Sequence, residues 1–105
     1  MLGPFDRFDL VLPDRLDATT AAQVRDAMSL AVDGTPAVDV LVDVSAVRVI
    51  DGVGLGLLLA AHRSCRKAGR RLVLVDPSPG VLRLLAVTRL HRVLHVDRVR
   101  VAAGA

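Results

Sequence analysis

Three glycines crowd one short stretch of the chain, Val49-Ile50-Asp51-Gly52-Val53-Gly54-Leu55-Gly56. Directly after it, Leu55, Leu58, Leu59, His62 and Cys65 keep helical spacing, so the glycines fall in the first turn or so of a helix. Each costs up to about 1 kcal/mol relative to alanine there, and together they give up ~2–3 kcal/mol. For a small domain with a total stability on the order of 5–15 kcal/mol, that is a large concession. Something must approach this backbone closely: a neighbouring strand of the same fold, a phosphate, or a protein partner. Asp51 stands just ahead, placed to cap the helix by accepting from the backbone N–H of Val53 or Gly54. The same carboxylate can meet a basic group on a partner, and the two roles are compatible.

The remaining chemistry-bearing residues are less demanding. A dinucleotide fingerprint fails in both frames, because Leu57 or Leu59 occupies the place of the third glycine of GxGxxG. No glycine-lysine-serine or glycine-lysine-threonine sequence exists, which excludes a P-loop. Asp43 falls at the C-terminal end of a predicted strand, where parallel sheets place binding groups. Asp43 and Asp51 lack the early acidic pair and later lysine of a receiver domain, so no metal is expected. His91 and His95 are four apart with no third ligand beyond Asp97, which makes them an ordinary surface pair. His62 is expected partly buried with its nitrogens satisfied, and Cys65 as a small buried hydrophobe on the Leu58 and His62 stripe. Ser45, Ser64, Ser78 and Thr88 have neither a GxSxG elbow nor an identifiable base. No catalytic residue and no cofactor are expected. Arg63, Arg66, Lys67, Arg70 and Arg71 form a solvated face near a helix C-terminus, with a docking patch as the alternative.

The elements that position these residues follow from periodicity. Phe8 to Leu12 reads as a strand ending at Pro13. Asp17-Ala18-Thr19-Thr20 offers caps ahead of a helix carried by Ala22, Val24, Ala27, Met28 and Leu30, which Asp33-Gly34-Thr35-Pro36 stops. Val38 to Val44 is a buried central strand, and the helix after Asp51 runs to a stop at Gly69. Arg71 to Val75 is a further buried strand, and Ser78-Pro79 opens a helix through Val81, Leu82, Leu84 and Leu85. A short helical turn over Arg89 to Leu94 and an edge strand through Val96, Val99 and Val101 complete the series. Alternating strands and helices imply right-handed crossovers and a mostly parallel or mixed sheet with helices against it.

Composition agrees with one domain spanning 1–105. Hydrophobic residues make up 52% of the 105, well clear of the disordered class. The single cysteine cannot bridge internally, which fits a reducing compartment. The longest uncharged stretch, Gly52 to Ala61, is about half of the ~20 residues a spanning helix needs. No basic region followed by an apolar one opens the chain, so the expected location is the cytoplasm. Residues 1–51 hold nine Asp against four Arg, a balance of −5, and residues 52–105 hold ten Arg or Lys against two Asp, a balance of +8. Such polarity steers charged partners. Single-stranded nucleic acid is disfavoured, because Phe5 and Phe8 are the only aromatic residues and stacking platforms are lacking.

Several of these pieces, in this order, resemble the STAS domain, the fold of bacterial anti-sigma-factor antagonists and of the cytoplasmic domains of sulfate transporters. They are Leu16-Asp17, Leu41-Val42-Asp43-Val44-Ser45, Val49-Ile50-Asp51 followed by Gly54-Leu55-Gly56, Ala68-Gly69 with Leu72 to Val75, and Val81 to Leu85. The resemblance implies an α/β fold with a four- to five-stranded mixed sheet and helices packed on one side. It implies a non-enzymatic protein-binding function, with the partner surface at Asp43, Asp51, Gly52, Val53, Gly54 and Leu55. A kinase-like anti-sigma factor is the expected partner, and homodimers are compatible with it. Two departures stand out. Only Met1 to Arg7, containing Pro4, is available for the usual first strand, which is short or missing. Phospho-switched antagonists carry serine or threonine directly after the loop aspartate, where this chain has Gly52, so no phosphorylation is expected there. The alternatives are an accessory subunit of a membrane transporter ATPase and a small phosphate- or nucleotide-binding module.

Overall fold

The computed structural model describes residues 8–34 and 37–97. Strand β1 (Leu10–Val11) and the brief β2 (Arg15–Leu16) precede helix α1 (Ala21–Gly34). Then come β3 (Asp39–Asp43), the brief β4 (Val49–Ile50), α2 (Gly52–Lys67), β5 (Arg71–Val75) and α3 (Pro79–Val87). A 3-10 turn at Leu90–Arg92 leads into β6 (His95–Asp97). The stretch expected to hold a short first strand, 1–7, lies outside the described residues, as do Val99 and Val101 of the expected edge strand.

The main sheet has the order β1-β3-β5-β6, and each of its pairings is parallel. Val40 and Val42 of β3 lie opposite Leu72 and Leu74 of β5. With a side-chain period of 2, these four point to one face. They share a core with Val24 and Met28 of α1, Leu57 and Leu58 of α2, and Val81 and Leu85 of α3. All three helices therefore cover the same face. The alternate residues, Leu41, Val73 and Val75, form a separate small cluster that Phe8 joins. Every pairing being parallel explains the near-continuous apolar runs of β3 and β5, which are buried on both faces.

Local sequence accounts for the helix limits. α2 buries Gly54, Leu57, Leu58, Ala61, His62 and Cys65, a stripe at intervals of three and four that faces the sheet. Its C-cap is Ala68, and Gly69 at φ +72° takes the left-handed position that follows. Ser78 caps α3, its Oγ accepting from the Val81 N–H at 3.3 Å, with Pro79 at the first helical position. Ahead of α1, Asp17 is buried and works harder than a simple cap. Its Oδ1 accepts from the Thr19 N–H at 3.0 Å and from the Thr19 hydroxyl at 2.5 Å, and Oδ2 pairs with the Arg15 guanidinium at 2.9 Å. The Thr19 hydroxyl foremost holds its carboxyl below the usual range, with Arg15 assisting against the effect of burial.

Two features depart from the sequence expectation. The strand expected over Phe8 to Leu12 pairs only at Leu10–Val11, although Asp9 N–H and Leu12 N–H still donate to Leu41 and Asp43 carbonyls at 2.9 and 3.0 Å. The second is a separate two-stranded parallel sheet of β2 and β4, with Arg15 opposite Val49 and Leu16 opposite Ile50. Two-residue strands are too short to show alternation, so neither announces itself in the sequence.

Candidate functional site

The glycine corner lies where the C-terminal ends of the main strands meet the start of α2. Val11, Asp43, Val75 and Asp97 form the last row of the sheet. The half-buried Asp43 turns its Oδ1 back to accept from the Ser45 N–H at 2.9 Å, shaping the exit from β3. The chain then passes through β4, held because the Arg48 and Val49 N–H groups both donate to the Asp14 carbonyl. Asp51 is exposed and caps α2, its Oδ1 accepting from the Gly54 N–H at 3.0 Å, one of the two donors the spacing predicts. A cap of this kind is worth about 1 kcal/mol, and the carboxylate also favours the positive end of the helix dipole.

The glycines divide into two kinds. A Cβ on Gly54 would stand 2.0 Å from the Leu16 carbonyl oxygen of β2, so the close neighbour of Gly54 is the chain's own strand. Gly54 is buried and offers no surface, and Leu55 is half-buried against the core. Gly52 and Gly56 are exposed and face open space. Of the six residues expected to meet a partner, Asp51, Gly52 and Val53 are therefore fully presented, Asp43 and Leu55 partly, and Gly54 supports them from beneath.

Two surface residues missed in the sequence adjoin this set. Val11 is 60% exposed opposite Asp43, and Val49 is 40% exposed just before the cap, while Val53 in the first turn of α2 is 44% exposed. The corner thus carries exposed apolar groups beside the exposed carboxylate of Asp51. Their only sequence signal was an apolar residue on an element too short to bury it.

The remaining candidates fall elsewhere. Cys65 is fully buried, as expected, and burial pushes its thiol up, away from the reactive thiolate. His91 and His95 do not act as a pair. The His91 Nδ1 lies 3.3 Å from the Leu85 carbonyl, whereas the His95 ring lies 6.3 Å from that of His62. His62 is buried, but the expectation that its nitrogens are satisfied fails: Nδ1 has no hydrogen-bond partner. His62 sits on the stripe of α2 between Leu58 and Cys65, and the cationic and imidazole groups nearby make no hydrogen bond to that nitrogen.

Burial, then the nearby Arg66, His95 and Arg63, lowers the His62 pKa from its usual 6.5. The unfolded chain binds that proton more readily, so this contribution to stability is full above pH 6.5 and falls as acid passes below it. Unfolding free energy measured by urea titration is expected to drop between pH 7 and 5, with a slope of at most about 1.4 kcal/mol per unit from this one group. His62→Leu should flatten that slope, and an unchanged slope would assign it to other groups.

The STAS domain profile matches residues 8–103. The chain belongs to the STAS domain family. Similar STAS proteins include the anti-sigma-B factor antagonists of Listeria monocytogenes and Listeria innocua. Each is 28% identical over 94 residues, covering 90% of this chain and 82% of its own. The STAS fold is shared with an anti-sigma-factor antagonist domain protein from Planctomyces limnophilus at a TM-score of 0.71 and 20% identity, over 85% of this chain and 80% of that one. It is shared also with the Bacillus cell fate determinant SpoIIAA in its phosphorylated form, at 0.61 and 19% identity, over 90% and 88%. Among the described residues of this STAS domain, no helix is long and apolar enough to cross a membrane.

Proposed function

We propose that this STAS domain, a single unit over 1–105, is a non-enzymatic cytoplasmic regulator that docks on a kinase-like anti-sigma factor and thereby frees a sigma factor. The docking surface is Asp51, Gly52 and Val53, flanked by Asp43, Leu55 and the exposed Val11 and Val49. Gly52 carries the reading: it is exposed at the start of α2, open space lies where a side chain would stand, and it has no hydroxyl. A phosphate here would bring about −1.5 to −2 charges into the contact, which a partner cannot bury uncompensated. Gly52 never acquires that charge, so docking is constitutive. A standard interface takes about 800 Å² from each partner, within the means of a domain of this size.

The test uses the anti-sigma factor recovered with the protein from its native cell. Gly52→Asp places a permanent carboxylate at the corner and is expected to weaken binding at least about tenfold while the melting temperature stays near that of the parent. Incubation with the partner and ATP is expected to leave residues 49–56 unlabelled. Unchanged affinity in Gly52→Asp places the contact elsewhere on the domain, and label within 49–56 refutes constitutive docking.

A further inference from the structure

The opposite end of α2 carries a second constellation that docking at the corner does not use. A groove of about 510 Å³ opens between the last turns of α2, the start of β5, the 3-10 turn and the start of β6. Into it converge His62, Arg66, Arg70, Arg71, Arg92 and His95, with Val93 as an apolar wall. Residues 63 to 71 are basic enough to be noticed in the sequence, but the structure sorts them. Arg66, Arg70 and Arg71 line the groove, and they are joined by Arg92 and His95, which the β5-to-β6 crossover brings back.

The engagements of these cations differ. Arg71 is held by Asp39 through two contacts, Nε to Oδ1 at 3.1 Å and Nη2 to Oδ2 at 2.9 Å. Arg70 is anchored at one corner, its Nη1 donating to the Val32 carbonyl at 2.5 Å. Arg66 and Arg92 are exposed and form no ion pair among the described residues. Asp39 is committed to Arg71, on which the field of Asp97 also acts. Beneath the arginines lies His62, nine-tenths buried, with Nδ1 unpartnered. Guanidinium groups gathered around one groove repel one another unless an anion joins them.

We propose that this groove binds a small phosphate-bearing anion, a phosphate monoester or pyrophosphate group, gripped between Arg66 of α2 and Arg92 of the 3-10 turn with the anchored Arg70 alongside. The planar fork of guanidinium matches phosphate oxygens in pairs. The volume falls within the ~300–1,000 Å³ of small-molecule sites. A concave floor of imidazole and a wall of valine suit a compact ligand better than an extended acidic segment of another protein. The α2 residues of the groove, His62 and Arg66, lie about 15 and 21 Å along the helix from Gly52 at the corner, given the rise of ~1.5 Å per residue. Occupancy of the groove can therefore be read independently of any partner.

The test titrates sodium pyrophosphate into the full chain at constant ionic strength, by calorimetry and by backbone amide NMR. Saturable binding is expected, with shifts at His62, Arg66, Arg92 and His95 and none at Gly52 to Leu55, together with a raised melting temperature. The double variant Arg66→Ala, Arg92→Ala is expected to bind about tenfold more weakly or worse. The control Arg63→Ala, Lys67→Ala removes two charges from the same helix outside the groove and should bind as the parent does. Absence of saturable binding at millimolar pyrophosphate overturns the proposal, as does equal weakening in the control, which would mean diffuse charge attraction. Shifts confined to the corner, or binding of a glutamate-rich peptide where pyrophosphate fails, would overturn it too, the latter making the groove a protein-docking surface. The shift map on the parent protein decides the matter even if the double variant does not fold.

Discussion

Gly54→Ala is expected to destabilise the protein by about 2–4 kcal/mol, whereas the same substitution at Gly56 is expected to stabilise it by up to about 1 kcal/mol. Both glycines lie in α2, two residues apart, and helix propensity alone would have alanine improve each. The difference is what the new methyl meets. At Gly56 nothing stands within 4 Å. At Gly54 the methyl would lie 2.0 Å from the Leu16 carbonyl oxygen and 2.9 Å from its carbon. Those are backbone atoms, so no rotamer change relieves the overlap. Either α2 or β2 must move, and Leu16 is fully buried while its carbonyl also accepts from the Asp51 N–H at 3.4 Å. Gly52→Ala, also in open space, should be close to neutral or mildly stabilising. Thermal unfolding resolves these differences, since 1 kcal/mol moves the midpoint by roughly 4–8 °C in a domain near this size. A Gly54→Ala protein as stable as Gly56→Ala would show that α2 is not seated on β2 as described.

That contrast marks the boundary of what the sequence conveys. The cost of three clustered glycines is visible without a structure, and so is the need for something to approach the backbone. Which glycine needs it is not, because the neighbour is a carbonyl of Leu16, 38 residues earlier, on a two-residue strand with no pattern of its own. α2 itself was legible, since Leu55, Leu58, Leu59, His62 and Cys65 repeat at helical intervals and Asp51 and Gly69 mark its limits; the buried stripe is shifted slightly, taking in Leu57 and Ala61 and leaving Leu55 and Leu59 half-buried. The parallel core was legible from the apolar runs of β3 and β5. The corner was legible in its caps, through Asp51, and less so in its apolar rim, because Val11 and Val49 look like core residues until their strands prove too short and too peripheral to cover them. The basic groove was half legible. Arg66, Arg70 and Arg71 are neighbours in the chain, but Arg92, His95 and the unsatisfied nitrogen of His62 come together only through the last crossover.

Leu74→Ala is expected to cost about 3–5 kcal/mol, toward the upper end for a leucine truncation. Leu74 is fully buried in β5, an interior strand, opposite Val42 on one side and Val96 on the other. It points to the face that carries all three helices, and a cavity there has rigid elements on every side that cannot collapse to fill it. Leu41→Ala makes the same chemical change on the opposite face, where the leucine is 8% exposed and its cluster among the described residues is Val73 and Val75, with the half-buried Phe8 packed against it. Its slight exposure, and a smaller cluster among the described residues, leave less to lose and more freedom to relax, so its expected cost is nearer ~2 kcal/mol. Denaturant titration of both variants measures this difference directly. If the two leucines cost the same, the helical face is not the dominant core, and the firm support it gives to the start of α2 would have to be sought elsewhere. If Leu74→Ala is the more damaging, as the packing requires, the same layer that stabilises the fold also supports α2, on which the glycine corner and the basic groove both rest.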